Sequence, residues 1–213
     1  EQGDGEGAMA LFDYLRKTAK SPIIKGEAAF SNAQQAYRNG DPKLASELFE
    51  EASSLLDGVD REAAAFNSAL AGMDDESFTP LTIQNLDPAA AKRLEADLAL
   101  EKGLSEDSPE KAKADLDTFL RENPNHPRAG EARLAIAEAA LASSPPDTSL
   151  AQAQLDTLKA SAAPPSARDE PRLALARLRL LDLSGKSDET IAMAGEIAAS
   201  YPDSPTAYEA SLT

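Results

Sequence analysis

The chain has 213 residues, of which 42% are hydrophobic and 5% aromatic, and it carries 37 acidic against 21 basic residues. A net charge of −16 repels nucleic-acid phosphates, and the apolar fraction is too high for a wholly disordered chain. The absence of cysteine excludes disulfides and thiolate metal sites. No run of about 20 apolar residues exists, so the sequence predicts no membrane insertion of this segment.

The first residues, "EQGDGEGA", lack an initiator Met. Such a start is typical of the end left when a signal peptide or membrane anchor is removed, or of an engineered start. We expect residues 1–25 to form an N-terminal tail and a capping helix. The string "GDGEG" is neither a phosphate loop nor a calcium loop, because it lacks the Lys-Ser/Thr of the one and the ligand spacing of the other.

Helix start and stop signals recur along the chain. Three dipeptides place an N-cap oxygen before a proline at the first helical position: Asp41-Pro42, Asp87-Pro88 and Ser108-Pro109. The stretch from Ser166 to Asp169 has the spacing of a capping box. Helix ends are predicted at four glycines, which tolerate the left-handed conformation beyond a helix: Gly40, Gly58, Gly103 and Gly185.

Apolar residues recur with the helical period, and no stretch shows the sustained alternation of a strand. The sequence therefore predicts an all-α protein of about eleven helices. In chain order they cover roughly 8–20, 25–39, 42–56, 60–73, 88–102, 109–122, 128–142, 148–160, 168–183, 188–200 and a last stretch from near 205. Six leucines surround the helix at 168–183, which predicts that several of its sides are covered. The one long irregular connection is 74–86.

The C-terminal half repeats with a period of 39 residues. A shift of 39 places Leu116-Asp117-Thr118 on Leu155-Asp156-Thr157 and Arg133-Leu134-Ala135 on Arg172-Leu173-Ala174. A shift of 78 places Pro124 on Pro202. Several triplets in one frame are typical of a solenoid, in which each helix pair buries its apolar face against the next pair.

The N-terminal half contains a unit with a clearer repeat pattern, "AAFSNAQQAYRNGDPKLASELFEEASSLLDG". It resembles a tetratricopeptide repeat (TPR), a helix–turn–helix unit of the α-α superhelix type. The matching positions are Ala33 and Tyr37 in the first helix, Gly40-Asp41 in the turn, and Ala45, Phe49 and Ala52 in the second helix. "AAAFNSALAGM" (63–73) is similar to the first helix of a second unit. The stretches "YPDSPTAYEASL" and "NPNHPRAGEARLAIAEAAL" are most like the exported branch of the family, found in TolA-binding periplasmic coordinators and outer-membrane assembly lipoproteins.

The resemblance implies a right-handed α-α superhelix of about five TPR-like repeats over residues 26–213, less regular at 74–107, with the chain stopping within a repeat. In this family the first helix of each pair lines a concave groove that holds a protein or peptide partner. The residues implied to face that groove are Phe30, Gln34, Tyr37, Arg38, Phe66 and Leu70. Ordinary core is the competing interpretation for Phe30 and Tyr37. Only Arg38 and Asn67 come near the family's peptide-carboxylate clamp, which argues against binding of a chaperone C-terminus.

Glu131, Glu170 and Glu209 share the 39-residue spacing and so take the same point of successive first helices. One hypothesis is an acidic rail that captures Lys or Arg from a basic or amphipathic partner segment. The other is solvated surface, where carboxylates are common.

No catalytic set emerges from the sequence, and we expect neither a metal nor an organic cofactor. His126 is the only histidine, lies between Asn125 and Pro127, and is interpreted as a turn residue. A metal site or a nucleophilic triad needs convergent partners that no cysteine or second histidine supplies.

The leading prediction is thus a non-catalytic scaffold for protein–protein interaction in the periplasm or cell envelope of a Gram-negative bacterium. A second is the N-terminal repeat portion of a larger cytoplasmic regulatory protein. A third, of a different class, is an all-α enzyme with a site near 74–86, which would require convergent polar groups that the sequence does not reveal.

Overall fold

The computed structural model describes residues 5–73, 86–161 and 166–202, together with Ala210. Within these residues the chain is all-helical, as predicted, with ten α-helices and no strand. In chain order they are α1 (Gly5–Thr18), α2 (Pro22–Arg38), α3 (Pro42–Leu55), α4 (Gly58–Ala71), α5 (Pro88–Ser105), α6 (Pro109–Glu122), α7 (Ala129–Ala142), α8 (Thr148–Ala160), α9 (Glu170–Leu183) and α10 (Ser187–Ser200). The helix predicted from near 205 lies outside the described residues.

Both predicted aspartate caps are confirmed. Asp41 accepts the backbone N–H of Leu44 at 3.0 Å and starts α3. Asp87 accepts the N–H groups of Ala89 and Ala90 at 3.0 and 3.1 Å and starts α5. Each carboxylate satisfies N–H groups that have no partner inside the helix, which fixes where the helix begins.

Ser108 is the N-cap residue of α6 and Pro109 its first residue, as predicted, but neither Ser108 nor Ser166 makes the expected side-chain capping bond. The Ser108 side chain makes no capping bond, and its backbone N–H donates to Oε1 of Glu106 at 3.1 Å. The Ser166 hydroxyl donates to Oδ2 of Asp169 at 2.7 Å within a 3-10 turn, Ala167–Asp169, that precedes α9. At each serine a nearby carboxylate accepts a charge-assisted hydrogen bond, from the backbone N–H of Ser108 and from the hydroxyl of Ser166.

Gly103 does not end a helix, because α5 continues through it to Ser105. A Cβ atom at Gly103 would lie 2.6 Å from Cδ2 of Leu116 on α6. Glycine is therefore required here by the close approach of α6. The other three predicted stops, Gly40, Gly58 and Gly185, do have the left-handed φ values of 80°, 57° and 70°.

The chain divides into two compact units, Glu1–Leu98 and Ala99–Thr213, and the division falls inside α5. In the first unit α3 packs against both α2 and α4, and α1 packs against α2. In the second, α7 packs against α6, α8 and α9, and α9 also packs against α8 and α10. Short turns join α2 to α3 and α3 to α4, so each pair is antiparallel and α2 and α4 run in the same direction.

The core of the first unit is built mainly from small residues. Around α3 it consists of two clusters, Ala33, Ala36, Ala45, Leu48, Phe49 and Ala71, and Ala29, Ala52, Leu56 and Ala64. The alanines that match the TPR pattern, Ala33, Ala45 and Ala52, are fully buried. Small side chains at the crossings allow the helix axes to approach closely, and Phe49 fills the remaining space.

A pair of buried serines fixes α3 against α4. The Ser46 hydroxyl donates to the carbonyl oxygen of Ser68 at 2.9 Å, and the Ser68 hydroxyl donates to the carbonyl oxygen of Ser46 at 3.0 Å. Both side chains are almost inaccessible to solvent. Because each buried hydroxyl needs a partner, a shift of one helix along the other would leave two polar groups unsatisfied.

The second unit has a larger aliphatic core. Its main cluster contains Leu134, Ala137, Ala140, Leu141, Ala151, Leu155, Leu158, Ala176 and Leu180, with Leu173 partly buried against it. Leu134 and Leu173, which the 39-residue shift aligns, thus contact one core, and Leu212 lies outside the described residues. On α9, Leu178 and Leu180 are buried, whereas Leu183 at the end of the helix is exposed.

We expect Leu134→Ala to lower the free energy of unfolding by about 2–5 kcal/mol, because Leu134 is fully buried and its removal leaves a cavity. The control is Leu183→Ala on the exposed end of α9, which should cost about 0.5 kcal/mol or less. Urea denaturation of both variants measures the difference. Equal effects would place Leu134 at the surface.

Two glycines inside helices, Gly103 and Gly195, should respond oppositely to alanine. A Cβ at Gly103 collides with the buried Leu116, so Gly103→Ala should destabilise the protein by about 1–3 kcal/mol. A Cβ at Gly195 in α10 meets nothing within 4 Å, so Gly195→Ala should stabilise it by about 0.5–1 kcal/mol through helix propensity. Thermal melts of the two variants would show opposite shifts, and stabilisation by Gly103→Ala would contradict the α5–α6 contact.

Candidate functional site

A groove runs between α2 and α4, with α3 beneath it. Its lining consists of Gln34, Tyr37 and Arg38 from α2, Phe49 from α3, and Asn67, Leu70 and Ala71 from α4, around a cavity of about 220 Å³. The α2–α4 groove is positioned by the small-residue crossings and by the serine pair between α3 and α4. It brings together side chains of two helices that are both first helices in the TPR-like pattern.

Four of the six residues implied by the TPR pattern line this groove: Gln34, Tyr37, Arg38 and Leu70. Phe30 is half-buried and packs edge-on against Phe49, with ring centroids 5.1 Å apart, so it contributes to the core beside the groove. Phe66 is half-buried on α4. Tyr37 is 54% exposed, which makes it surface and not ordinary core.

The groove combines an apolar floor with polar side chains that are not committed to the fold. Phe49, Leu70 and Ala71 supply the floor. Within the described part of the chain, Gln34, Arg38 and Asn67 make no side-chain hydrogen bond or ion pair. Such groups can pair with a bound molecule without breaking a contact of the protein. Sequence reasoning did not place Phe49 and Ala71 in the groove, because it assigned Phe49 to the packing of the second helix and gave Ala71 no role.

The second unit holds a larger cavity of about 700 Å³ near the N-terminal ends of α7 and α9. Its lining is charged on both sides and consists of Pro127, Arg128, Gly130, Glu131, Ser166, Arg168, Asp169 and Arg172. Two of its three arginines are already paired. Arg128 Nε donates to Glu131 at 2.7 Å and its Nη1 to Glu101 of α5 at 2.5 Å. Arg172 donates to Glu138 of α7 through Nε at 3.1 Å and Nη2 at 2.6 Å, and to Asp169 at 3.2 Å.

These contacts stabilise the charged form of both guanidinium groups and hold helices together. The hydrogen bond to Glu131, supported by that to Glu101, raises the pKa of Arg128 above its usual range. The bidentate contact with Glu138 does the same to the pKa of Arg172. Arg128 thereby connects α7 to α5, and Arg172 connects α9 to α7. The cavity is better explained as the surface of a structural ion-pair network than as an anion site, since four carboxylates accompany its three arginines.

The three glutamates of the predicted acidic rail have different surroundings. Glu131 is half-buried and paired with Arg128, so a partner's Lys or Arg would have to displace an internal arginine. Glu170 is exposed at the first residue of α9 and has no ion pair among the described residues. Glu209 lies outside the described residues. The rail stays a prediction, with Glu170 as its one described and accessible member.

The His126 side chain takes part in the packing and hydrogen bonding of the turn before α7. Its Nδ1 accepts the backbone N–H of Arg128 at 3.2 Å, and its ring packs edge-on against Phe119 with centroids 5.1 Å apart.

Within 5–73, 86–161 and 166–202, no group of three or more His, Cys, Asp or Glu side chains could hold a metal ion. None of the helices described there is long and apolar enough to cross a bilayer. The proposed enzyme site near 74–86 lies almost wholly outside the described residues.

Comparisons with known proteins add no assignment to this geometry. No protein-family model matches the chain, and neither a curated protein nor a solved structure matches it. The likeness to TPR proteins therefore rests on the residues of this sequence, and a functional proposal rests on the α2–α4 groove.

The bidentate pair Arg172–Glu138 should stabilise the second unit more than an exposed ion pair does. A double-mutant cycle with Arg172→Ala and Glu138→Ala should give a coupling energy of about 1 kcal/mol, because the geometry is bidentate and partly shielded from solvent. The control cycle uses Arg121 and Asp117, which are 3.6 Å apart and mostly exposed, and should give about 0.5 kcal/mol or less. Equal coupling energies in the two cycles would show that Arg172 does not stabilise the packing of α9 against α7.

Proposed function

We propose that this chain is a non-catalytic scaffold of TPR-like helix pairs that binds a segment of another protein in the α2–α4 groove. The observation that carries the proposal is the composition of that groove. An apolar floor, an exposed Tyr37 and three uncommitted polar side chains together form a surface suited to a partner rather than to the chain's own packing.

The α-α superhelix of about five repeats is part of the same proposal. Its support is the burial of the TPR-like alanines in the first unit and the shared core of Leu134 and Leu173 in the second. A scaffold of this type offers extended first-helix surfaces to a partner. The excess of carboxylates, with a net charge of −16, favours partners that carry basic residues on their outer face.

We also propose the periplasm or cell envelope of a Gram-negative bacterium as the location of the scaffold. This rests on the likeness of "YPDSPTAYEASL" and "NPNHPRAGEARLAIAEAAL" to the exported branch of the TPR family. Extract of the cell envelope is therefore the first source in which to search for the partner.

Affinity capture from cell-envelope extract tests the proposal. The wild-type protein, the groove variant Arg38→Glu/Leu70→Asp and the control variant Leu44→Asp serve as baits, since Leu44 is exposed on α3 and does not line the groove. We expect at least one protein to be retained by wild type and by Leu44→Asp but lost with the groove variant, because the variant reverses one charge and charges the apolar floor. If the three baits retain the same proteins in equal amounts, the groove is not the binding site.

A further inference from the structure

The faces of α2 and α4 that line the groove carry matching apolar positions toward the N-terminal ends of both helices. On α2, Ile23 and Phe30 precede Gln34 by 11 and 4 residues; on α4, Val59 and Phe66 precede Leu70 by the same intervals. These intervals keep each set on one face of its helix. A shift of 36 residues therefore superimposes the two stripes, Ile23–Phe30–Gln34 and Val59–Phe66–Leu70.

Both stripes begin with an aliphatic side chain that the fold leaves in solvent. Ile23 is 55% exposed and Val59 is 81% exposed. Because α2 and α4 run in the same direction, these two residues lie at the same end of the groove. The groove is thus apolar toward this end and polar at the other, where Gln34, Arg38 and Asn67 cluster.

We propose that the occupant of the groove is an amphipathic α-helix whose C-terminal end lies at the Gln34–Arg38–Asn67 cluster; the proposal rests on the function proposed above. The last four carbonyl groups of a helix have no partner within it, and the helix dipole makes that end negative. A guanidinium and two side-chain amides supply hydrogen-bond donors of the required kind, and none of the three is used by a described residue.

The opposite charge lies where the other end of such a helix would be. Glu27 is exposed on the same face of α2, has no ion pair among the described residues, and precedes Arg38 by 11 residues. At 1.5 Å per residue this separation is roughly 16 Å, the length of about three helical turns. A carboxylate favours the positive N-terminal end of the bound helix, so the occupant runs parallel to α2.

An extended peptide fits this groove less well. Its backbone N–H and C=O groups would need partners along the whole length, and unpaired groups buried against apolar side chains are costly. Between Ile23 and Phe30 the α2 stripe offers only Glu27 as a polar group. A helix satisfies its own backbone and requires polar contacts only at its ends, which is where the groove provides them.

Selection from a phage-displayed library of random 16-residue peptides tests the proposal with the whole protein as bait. We expect enriched peptides to share apolar residues spaced i, i+3 or i+4, and i+7, and to gain helical circular dichroism on binding. Binding of a synthetic enriched peptide should weaken at least tenfold with Val59→Asp and with Ile23→Asp. It should be unchanged with Leu44→Asp, a matched substitution outside the groove.

The possible outcomes separate this inference from the function on which it rests. Peptides with alternating apolar residues whose binding is lost with Leu70→Asp would refute the helix and leave the groove as a binding site. Peptides that bind equally to Val59→Asp, Ile23→Asp and Leu70→Asp, or a selection that enriches nothing, would refute both. The substituted side chains at Ile23 and Val59 are exposed, so these variants retain the fold.

Orientation can be measured because the chain has no cysteine. The Ile23→Cys variant offers one thiol at the same end of the groove and leaves Glu27 in place, and a synthetic enriched peptide can carry a bromoacetyl group at either end. We expect the peptide labelled at its N-terminus to alkylate this thiol several-fold faster than the one labelled at its C-terminus. The reverse preference would overturn the parallel orientation.

Discussion

Close packing of helices through alanine, glycine and serine is the constraint on which the described structure depends. In the first unit a Cβ at Gly26 would lie 2.8 Å from Leu56, and in the second a Cβ at Gly103 would lie 2.6 Å from Leu116. Larger residues at such crossings would separate the helices and leave cavities that the few aromatic residues could not fill. The α2–α4 groove follows from this packing, since α3 holds both helices at short range and supplies Phe49 as the floor.

The charges of the chain have two distinct roles. In the second unit Arg128 and Arg172 form ion pairs with glutamates on neighbouring helices, and these ion pairs stabilise the packing. In the first unit Arg38 and Glu27 have no ion pair among the described residues and remain available to a partner. A net charge of −16 alone suggested that carboxylates would dominate recognition. The structure instead places an uncommitted arginine at one end of the α2–α4 groove.

Helix existence and most boundaries could be predicted from the sequence, because proline, aspartate caps and the apolar period are local signals. The failures have physical causes that are not local. Gly103 was predicted to end a helix, but a glycine is needed there because the side chain of Leu116 on α6 leaves no room for a Cβ atom. Ser166 is the local exception: it matched a capping box, but its hydroxyl donates to the Asp169 carboxylate three residues away and makes no capping bond.

The sequence predicted residues of the candidate site that lie on one face of a single helix. It did not predict the contribution of the neighbouring helix α3. Gln34, Tyr37 and Arg38 follow from the face of α2, whereas Phe49 joins the groove through the tertiary position of α3. The 39-residue spacing predicted that Glu131 belongs to an exposed row of carboxylates. In the structure Glu131 accepts a hydrogen bond from Arg128, and this contact depends on the turn before α7. Sequence spacing identifies a face, but it does not show which charges on that face are already paired.

The central claim is that α3 and α4 pack in the register that Ser46 and Ser68 define, because this register positions the groove. The two hydroxyl oxygens are 3.4 Å apart, a geometry close enough for a disulfide after Ser46→Cys/Ser68→Cys substitution. Since Ser53 lies seven residues farther along α3, roughly 10 Å away, the pair Ser53→Cys/Ser68→Cys is the control. Mild oxidation followed by thiol titration should show complete intramolecular disulfide formation in the first variant and free thiols in the second. Free thiols in the first variant, or equal oxidation of both, would contradict the register and with it the groove.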